Sequence, residues 1–176
     1  MKTFAPKINV PIIFSVILLG CLASVAAQAF RGEKIQLEGK LQDSLNHVLE
    51  TSTLIQEAFY NQDEGQIESN TRKVLVDLRK AQNNTINEKI NGMHIERILE
   101  VVRNHLAQIL DATGEERKKY LRLAFDQVVH IAQTYKLNSY RIFYCQSSDG
   151  IWLQKSFKAQ NPYNPQTLGN CGIPVR

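Results

Sequence analysis

The stretch that decides the fold is Leu41-Gln42-Asp43-Ser44-Leu45-Asn46-His47-Val48-Leu49-Glu50-Thr51-Ser52-Thr53-Leu54-Ile55-Gln56-Glu57-Ala58-Phe59. Leu41, Leu45, Val48, Ser52, Ile55 and Phe59 recur at steps of three and four. A 3.6-residue period places them on one face, and the pattern predicts an amphipathic helix over 33–60. Asn61-Gln62-Asp63-Glu64-Gly65 then reads as a turn.

The same period returns three times. Over 64–82, Ile67, Val74, Leu75, Leu78 and Ala81 form the apolar stripe. Glu68, Arg72, Lys73, Asp77 and Arg79 form a solvated face, and Asn83-Asn84 ends the helix. A third helix is expected from Thr85, where Glu88 three residues on completes a capping box, although Gly92 allows a start nearer Asn91. Its stripe is Ile95, Leu99, Val102, Leu106 and Ile109. Thr113 and Glu116 repeat the capping pattern for a fourth helix, with Leu121, Phe125, Val128, Ala132 and Tyr135 on its buried side. Short connections favour antiparallel neighbours. The expectation is an all-α fold: an antiparallel up-down-up-down four-helix bundle over 30–138.

From Tyr140 onward the composition shifts to aromatics, Gly, Pro and Asn. Asn161-Pro162-Tyr163-Asn164-Pro165 cannot be helical, because each Pro removes an N–H donor and pushes the residue before it into extended backbone. The segment 139–176 holds the one Trp. It is expected to be an irregular tail of the same domain, folded back so that Trp152, Phe157 and Tyr163 pack on helix ends.

The N-terminus carries a different signature. Lys2 and Lys7 precede the apolar run Pro11–Gly20, and Ala27-Gln28-Ala29 offers small residues for cleavage. That order is a secretory signal, giving a leader over 1–29, export to a periplasm-like compartment and a mature chain from Phe30. Two other readings compete. Val10–Ala27 is nearly long enough for an uncleaved membrane anchor. Leu18-Leu19-Gly20-Cys21 resembles a lipoprotein box, in which Cys21 is lipidated. Membrane association follows only from these two.

The chain has 21 Lys+Arg and 17 Asp+Glu, and a pI of about 9.0. Lys2 and Lys7 fall in the leader, which takes most of the excess away. The remaining charges are interspersed, as in Glu115-Glu116-Arg117-Lys118-Lys119. A nucleic-acid partner would require a basic stripe, so none is expected.

Of the three cysteines, Cys21 lies in the leader, leaving Cys145 and Cys171. In an oxidising compartment an even pair reads as a disulfide. The alternative for the same pair is two thiolates of a soft-metal site, copper or similar. Their spacing is no C-x-x-C knuckle, so it carries no independent metal signature.

Other chemistry finds little support. His94 and His105 lie three turns apart, too far to share an ion. None of His47, His94, His105 and His130 has Glu three residues before it, which excludes the Glu-x-x-His pattern of a bundle di-iron site. No nucleophile elbow, phosphate-binding glycine loop or H-E-x-x-H is present. A thiol-based enzyme is the remaining catalytic option, and Cys145 shows no neighbour that would lower its pKa.

Tyr144-Cys145, Gly150-Ile151-Trp152-Leu153-Gln154, Asn161-Pro162-Tyr163 and Cys171-Gly172 together resemble the end of a bacterial periplasmic domain family of unknown function. That family is a helical bundle found alone or attached to adaptor subunits of copper and heavy-metal efflux systems. Its tail runs roughly C-P-M, W-L, N-P-Y-Y-G, C-G. Cys145, Trp152, Asn161, Pro162, Tyr163, Cys171 and Gly172 match. Gln146-Ser147 stands in place of P-M, which removes a thioether, and Asn164-Pro165 stands in place of Y-G. The resemblance implies a non-enzymatic accessory in envelope metal handling, partnered by efflux components, with Cys145 and Cys171 inheriting any metal role. A structural or protein-interaction bundle with a disulfide-locked tail is the alternative, and a thiol enzyme the third.

Overall fold

In the computed structural model residues 33–37 and 39–175 are described. The leader read over 1–29, with its anchor and lipidation alternatives, lies outside them. No helix among the described residues is long and apolar enough to cross a membrane.

Four long helices form as the periodicity predicts: α1 (Gly39–Asn61), α2 (Glu64–Thr85), α3 (Gly92–Asp111) and α4 (Gly114–Thr134). Every stripe residue is buried except Leu75, which is half-buried against the core. The α1–α2 corner shows why two residues suffice to turn the chain. Gln62 takes a left-handed conformation (φ 56°). Its N–H bonds to the Phe59 carbonyl, and that of Asp63 to the Ala58 carbonyl. This pairing closes the carbonyl end of α1. The Asp63 side chain simultaneously accepts from the Gln66 N–H at 3.0 Å, capping α2. The two helices then face each other in opposite directions. Asn70 of α2 donates to the Leu54 carbonyl, and Asn84 donates to Ser44 Oγ.

Several local expectations are corrected. Residues 33–37 are not helical; Ile35 forms a parallel bridge with Tyr135 instead. α2 runs through Asn83-Asn84 to Thr85, because Asn84 is held against α1. Thr85 does not cap α3. Its hydroxyl turns back to the Gln82 carbonyl, and α3 begins at Gly92. Thr113 does precede α4, but without a side-chain cap bond. Asp77, expected on the solvated face, is buried, where His47 of α1 leans over it with Nε2 3.8 Å from Oδ2.

The main correction concerns the tail. The chain is mostly helical but not all-α, and residues 139–176 are not irregular throughout. β1 (Arg141–Cys145), β2 (Gly150–Gln154) and β3 (Ile173–Val175) form an antiparallel sheet in the order β2-β1-β3. β1 and β2 are a hairpin, with Arg141 opposite Gln154 and Cys145 opposite Gly150. Arg-Ile-Phe-Tyr-Cys and Gly-Ile-Trp-Leu-Gln are β-branched and aromatic runs flanking the Gln146–Asp149 turn. β3 pairs through only three residues, Pro174 facing Phe143. Pro174 has no N–H, so it occupies a non-hydrogen-bonded position and turns a donor-less nitrogen outward. That edge resists addition of a further strand.

The sheet also completes the helical layer. α1 packs on α2, α2 on α3 and α3 on α4, whereas α1 and α4 scarcely touch. β2 lies between them, against both. Trp152, Leu153 and Gln154 are accordingly solvent-free.

Candidate functional site

The residues singled out in the tail converge on one knot. Cys145, at the end of β1, is bonded to Cys171, with the two Cα atoms 5.5 Å apart. Both sulfurs are occupied by that bond, so neither is a thiolate in this structure. Phe157 is the exception to the convergence. It was expected to pack on helix ends but is 81 % exposed, with the Arg141 guanidinium 3.4 Å above its ring.

Trp152 sits at the centre of the knot. Its ring stacks on Phe143 at 5.9 Å and meets Tyr163 edge-on at 6.1 Å. A β-carbon on Gly172 would lie 2.9 Å from the Trp152 ring, so only glycine lets the chain entering β3 approach so closely. Gly150 is under the same constraint from Tyr163.

Asn161-Pro162-Tyr163 is an Asx turn. The Asn161 side-chain carbonyl accepts from the Tyr163 N–H at 2.9 Å, while Pro162 holds the intervening φ. The Asn161 amide donates to Ser148 Oγ at 3.1 Å, and its backbone N–H donates to the Gly169 carbonyl. Tyr163 donates its hydroxyl to the Ile151 carbonyl at 2.6 Å. Burial, and secondarily the charge of Asp126, push the Tyr163 phenol well above its ordinary value, against a smaller opposing effect of Arg122. It therefore remains a neutral donor. The Arg122 guanidinium lies 5.1 Å from the ring centre and donates to the Ser148 carbonyl, tying α4 to the hairpin turn.

Gln154 was not singled out in the sequence, yet it organises the knot. It is completely buried with every polar atom satisfied. Its Oε1 accepts from Trp152 Nε1 at 2.7 Å and from the Gln160 N–H at 3.0 Å. Its Nε2 donates to the Ser156 and Lys158 carbonyls. A glutamine on a strand ordinarily reads as solvent-facing, so composition alone gave no signal. Gln154→Leu keeps the volume but orphans the Trp152 and Gln160 donors. The expected cost is about 2 kcal/mol of unfolding free energy, measured by urea titration. A loss below about 0.5 kcal/mol would mean that water replaces the amide.

The histidines are scattered. His94 and His130 meet across α3 and α4 with ring centres 6.2 Å apart. His105 stacks on Tyr120. His47 lies between Glu50 and Asp77. Among the described residues no three His, Cys, Asp or Glu side chains gather into a metal ligand set. An open cleft of about 910 Å³ lies beside the sheet, lined by Tyr140, Arg141, Phe157, Lys158, Asn170 and Pro174. Among the described residues its lining holds two cations, Arg141 and Lys158, and no carboxylate.

The knot is thus a set of largely buried groups that bond to and pack on one another, with the Arg122 Nε left without a partner, rather than a concave reactive site. Compared with known proteins, the chain matches no family model, no curated protein and no solved structure.

Proposed function

We propose that this chain is an exported, non-enzymatic protein that acts as a rigid interaction module. It is an antiparallel up-down-up-down bundle whose fourth seam is filled by a disulfide-locked sheet. One observation carries the reading: the tail residues that resemble a periplasmic family are the residues that tie the sheet to the loops after it, with Tyr163 reaching Arg122 of α4. Cys145, Trp152, Asn161, Pro162 and Tyr163 are all buried, and Cys145, Trp152, Asn161 and Tyr163 each bond to or pack on another part of the knot. Side chains used this way are unavailable for turnover. They suit a domain that must hold its shape outside the cytoplasm, where disulfides persist. The export step rests on the leader order, with the periplasm as the compartment for a bacterial chain.

The metal-handling role implied by the resemblance would require the bond to be reduced and a further ligand to be recruited. The test is an intact mass and thiol count on protein purified from its native envelope without reductant, followed by Cu(I) titration before and after reduction. The expected protein starts at Phe30, is two hydrogens light, has no free thiol and ignores Cu(I). Two free thiols, or copper uptake abolished by Cys145→Ser with Cys171→Ser, would replace this reading with metal handling. A mass that retains residues 1–29 would replace the cleaved signal with an anchor.

A further inference from the structure

We infer that the cleft beside the sheet is a binding site for a small organic anion, which sets a carboxylate or phosphate against Arg141 and an apolar body against Phe157. The inference does not rest on the interaction-module reading and goes beyond it.

Three pieces of chain make the cleft. They are the start of β1 with Tyr140 and Arg141, the loop after β2 with Phe157 and Lys158, and the run from Asn170 into β3. They meet because β1 pairs with β2 on one edge and with β3 on the other. Each wall is fixed. Gln154 Nε2 donates to the Ser156 and Lys158 carbonyls, one on either side of Phe157. The Lys158 N–H donates to Ser156 Oγ at 3.2 Å and closes the same turn. Opposite, the Cys145–Cys171 bond holds the run into β3. Gly172 there packs so closely that a β-carbon on it would lie 3.0 Å from the Ala159 β-carbon. At about 910 Å³ the space has the size of a small-molecule site.

One side chain in it is built to meet an oxyanion. The Arg141 guanidinium carbon lies 3.4 Å from the centre of the Phe157 ring, a distance that only a flat stack permits. Stacking uses the face of the guanidinium and leaves its N–H fork free in the plane. Among the described residues the Arg141 side chain has no hydrogen-bond acceptor and no ion-pair partner. A planar fork held still on a ring suits two parallel bonds to a carboxylate or phosphate. Phe157, 81 % exposed at the tip of its pinned turn, offers apolar surface next to that fork.

The charge balance favours an anion as well. Glu50 is the carboxylate whose charge reaches the cleft, where burial first and Glu50 second raise the Tyr140 phenol. That carboxylate is bonded to Lys155 at 3.1 Å and flanked by His47. Glu50 and Lys155 offset each other, which leaves Arg141 and Lys158 in excess. Arg176, the next residue after Val175, lies outside the described residues. A cleft with one sign of charge and apolar walls concentrates its potential on whatever enters. Ile142, Phe143 and Val175 supply those walls.

The test is an NMR titration of the purified, oxidised protein at physiological salt with phenyl phosphate, benzoate, inorganic phosphate and benzyl alcohol. The reporters are the Arg141 Nε–H, the Asn170 side-chain amide and the backbone of 157–159. Phenyl phosphate or benzoate is expected to shift these signals together and to saturation, and the tighter of the two tells phosphate from carboxylate. Inorganic phosphate lacks the ring and benzyl alcohol lacks the charge, so both should bind more weakly. Arg141→Gln should weaken binding about tenfold or more, as loss of a charge-assisted pair does. Phe157→Leu should weaken it about threefold. Arg79→Gln, on the exposed face of α2, should change nothing. All three side chains are exposed, so the variants keep the fold. Binding that survives Arg141→Gln, or shifts at Arg79 as large as those at Arg141, would overturn the inference in favour of diffuse attraction. Benzyl alcohol binding as tightly as phenyl phosphate would reduce the cleft to an apolar hollow. Inorganic phosphate binding as tightly would overturn the part given to Phe157. No saturable shift with any of the four compounds would overturn the whole, and would leave the disulfide-locked module reading untouched.

Discussion

A chain carrying Cys145→Ser and Cys171→Ser is expected to lose about 3.5 kcal/mol of unfolding free energy, the chain-entropy value for a loop of this length. The bond closes a segment of 26 residues that includes β2 and the Asx turn, with β3 following just after it. Without it the unfolded tail regains the freedom that the closed loop denied it. The native state changes less, because Trp152, Asn161 and Tyr163 still hold the segment through their own contacts. Urea denaturation followed by far-ultraviolet circular dichroism and by Trp152 fluorescence would measure both the size and the shape of the loss. The two signals should move together, since β2 fills the seam between α1 and α4 and the helices cannot keep their packing without it. A Trp152 transition well ahead of the helical one would show the sheet to be an appendage. A loss below about 1 kcal/mol would show that the unfolded chain keeps the tail closed by itself.

This coupling explains why the sequence revealed the helices more readily than the sheet. A helix of twenty or so residues repeats its apolar signal five or six times, and Leu41 through Phe59 or Ile95 through Ile109 survive one ambiguous position. The strands are five, five and three residues long, too short for alternation to show. Their punctuation by Gly150, Pro162 and Pro165 suggested irregular chain. β2 is also buried almost throughout, so Gly150-Ile151-Trp152-Leu153-Gln154 lacks the apolar–polar alternation of a half-exposed strand. Gln154 was illegible for a related reason. Its burial is tolerated only because Trp152, Gln160, Ser156 and Lys158 converge on it, and that convergence is a property of the fold. The cysteine pair was legible as a disulfide, because an even pair in an oxidising compartment reads that way with a soft-metal site as the alternative, and the 5.5 Å approach of the two Cα atoms in the fold brings them within bonding reach.

Trp152→Ala is expected to have the largest effect of any single substitution, about 4 kcal/mol. The side chain is solvent-free and contributes packing, stacking on Phe143, an edge contact with Tyr163 and a buried donor to Gln154. Truncation leaves a cavity between the sheet and the helices that cannot collapse easily, because the hairpin register fixes β1 on one side and the disulfide holds Gly172 near the other. Trp152→Phe separates the contributions. It keeps much of the aromatic packing and removes the N–H, while Gln154 Oε1 retains the Gln160 donor. Its cost should be nearer 1–2 kcal/mol. The decisive comparison is Trp152→Ala in the background lacking both cysteines. If tryptophan and disulfide secure the same element, its loss should not add to theirs, and the triple variant should retain at least 0.5 kcal/mol more than the sum predicts. Strict additivity would mean that the bond acts on the unfolded chain alone and Trp152 on the native core alone. The knot would then be two independent devices that share a place in the fold.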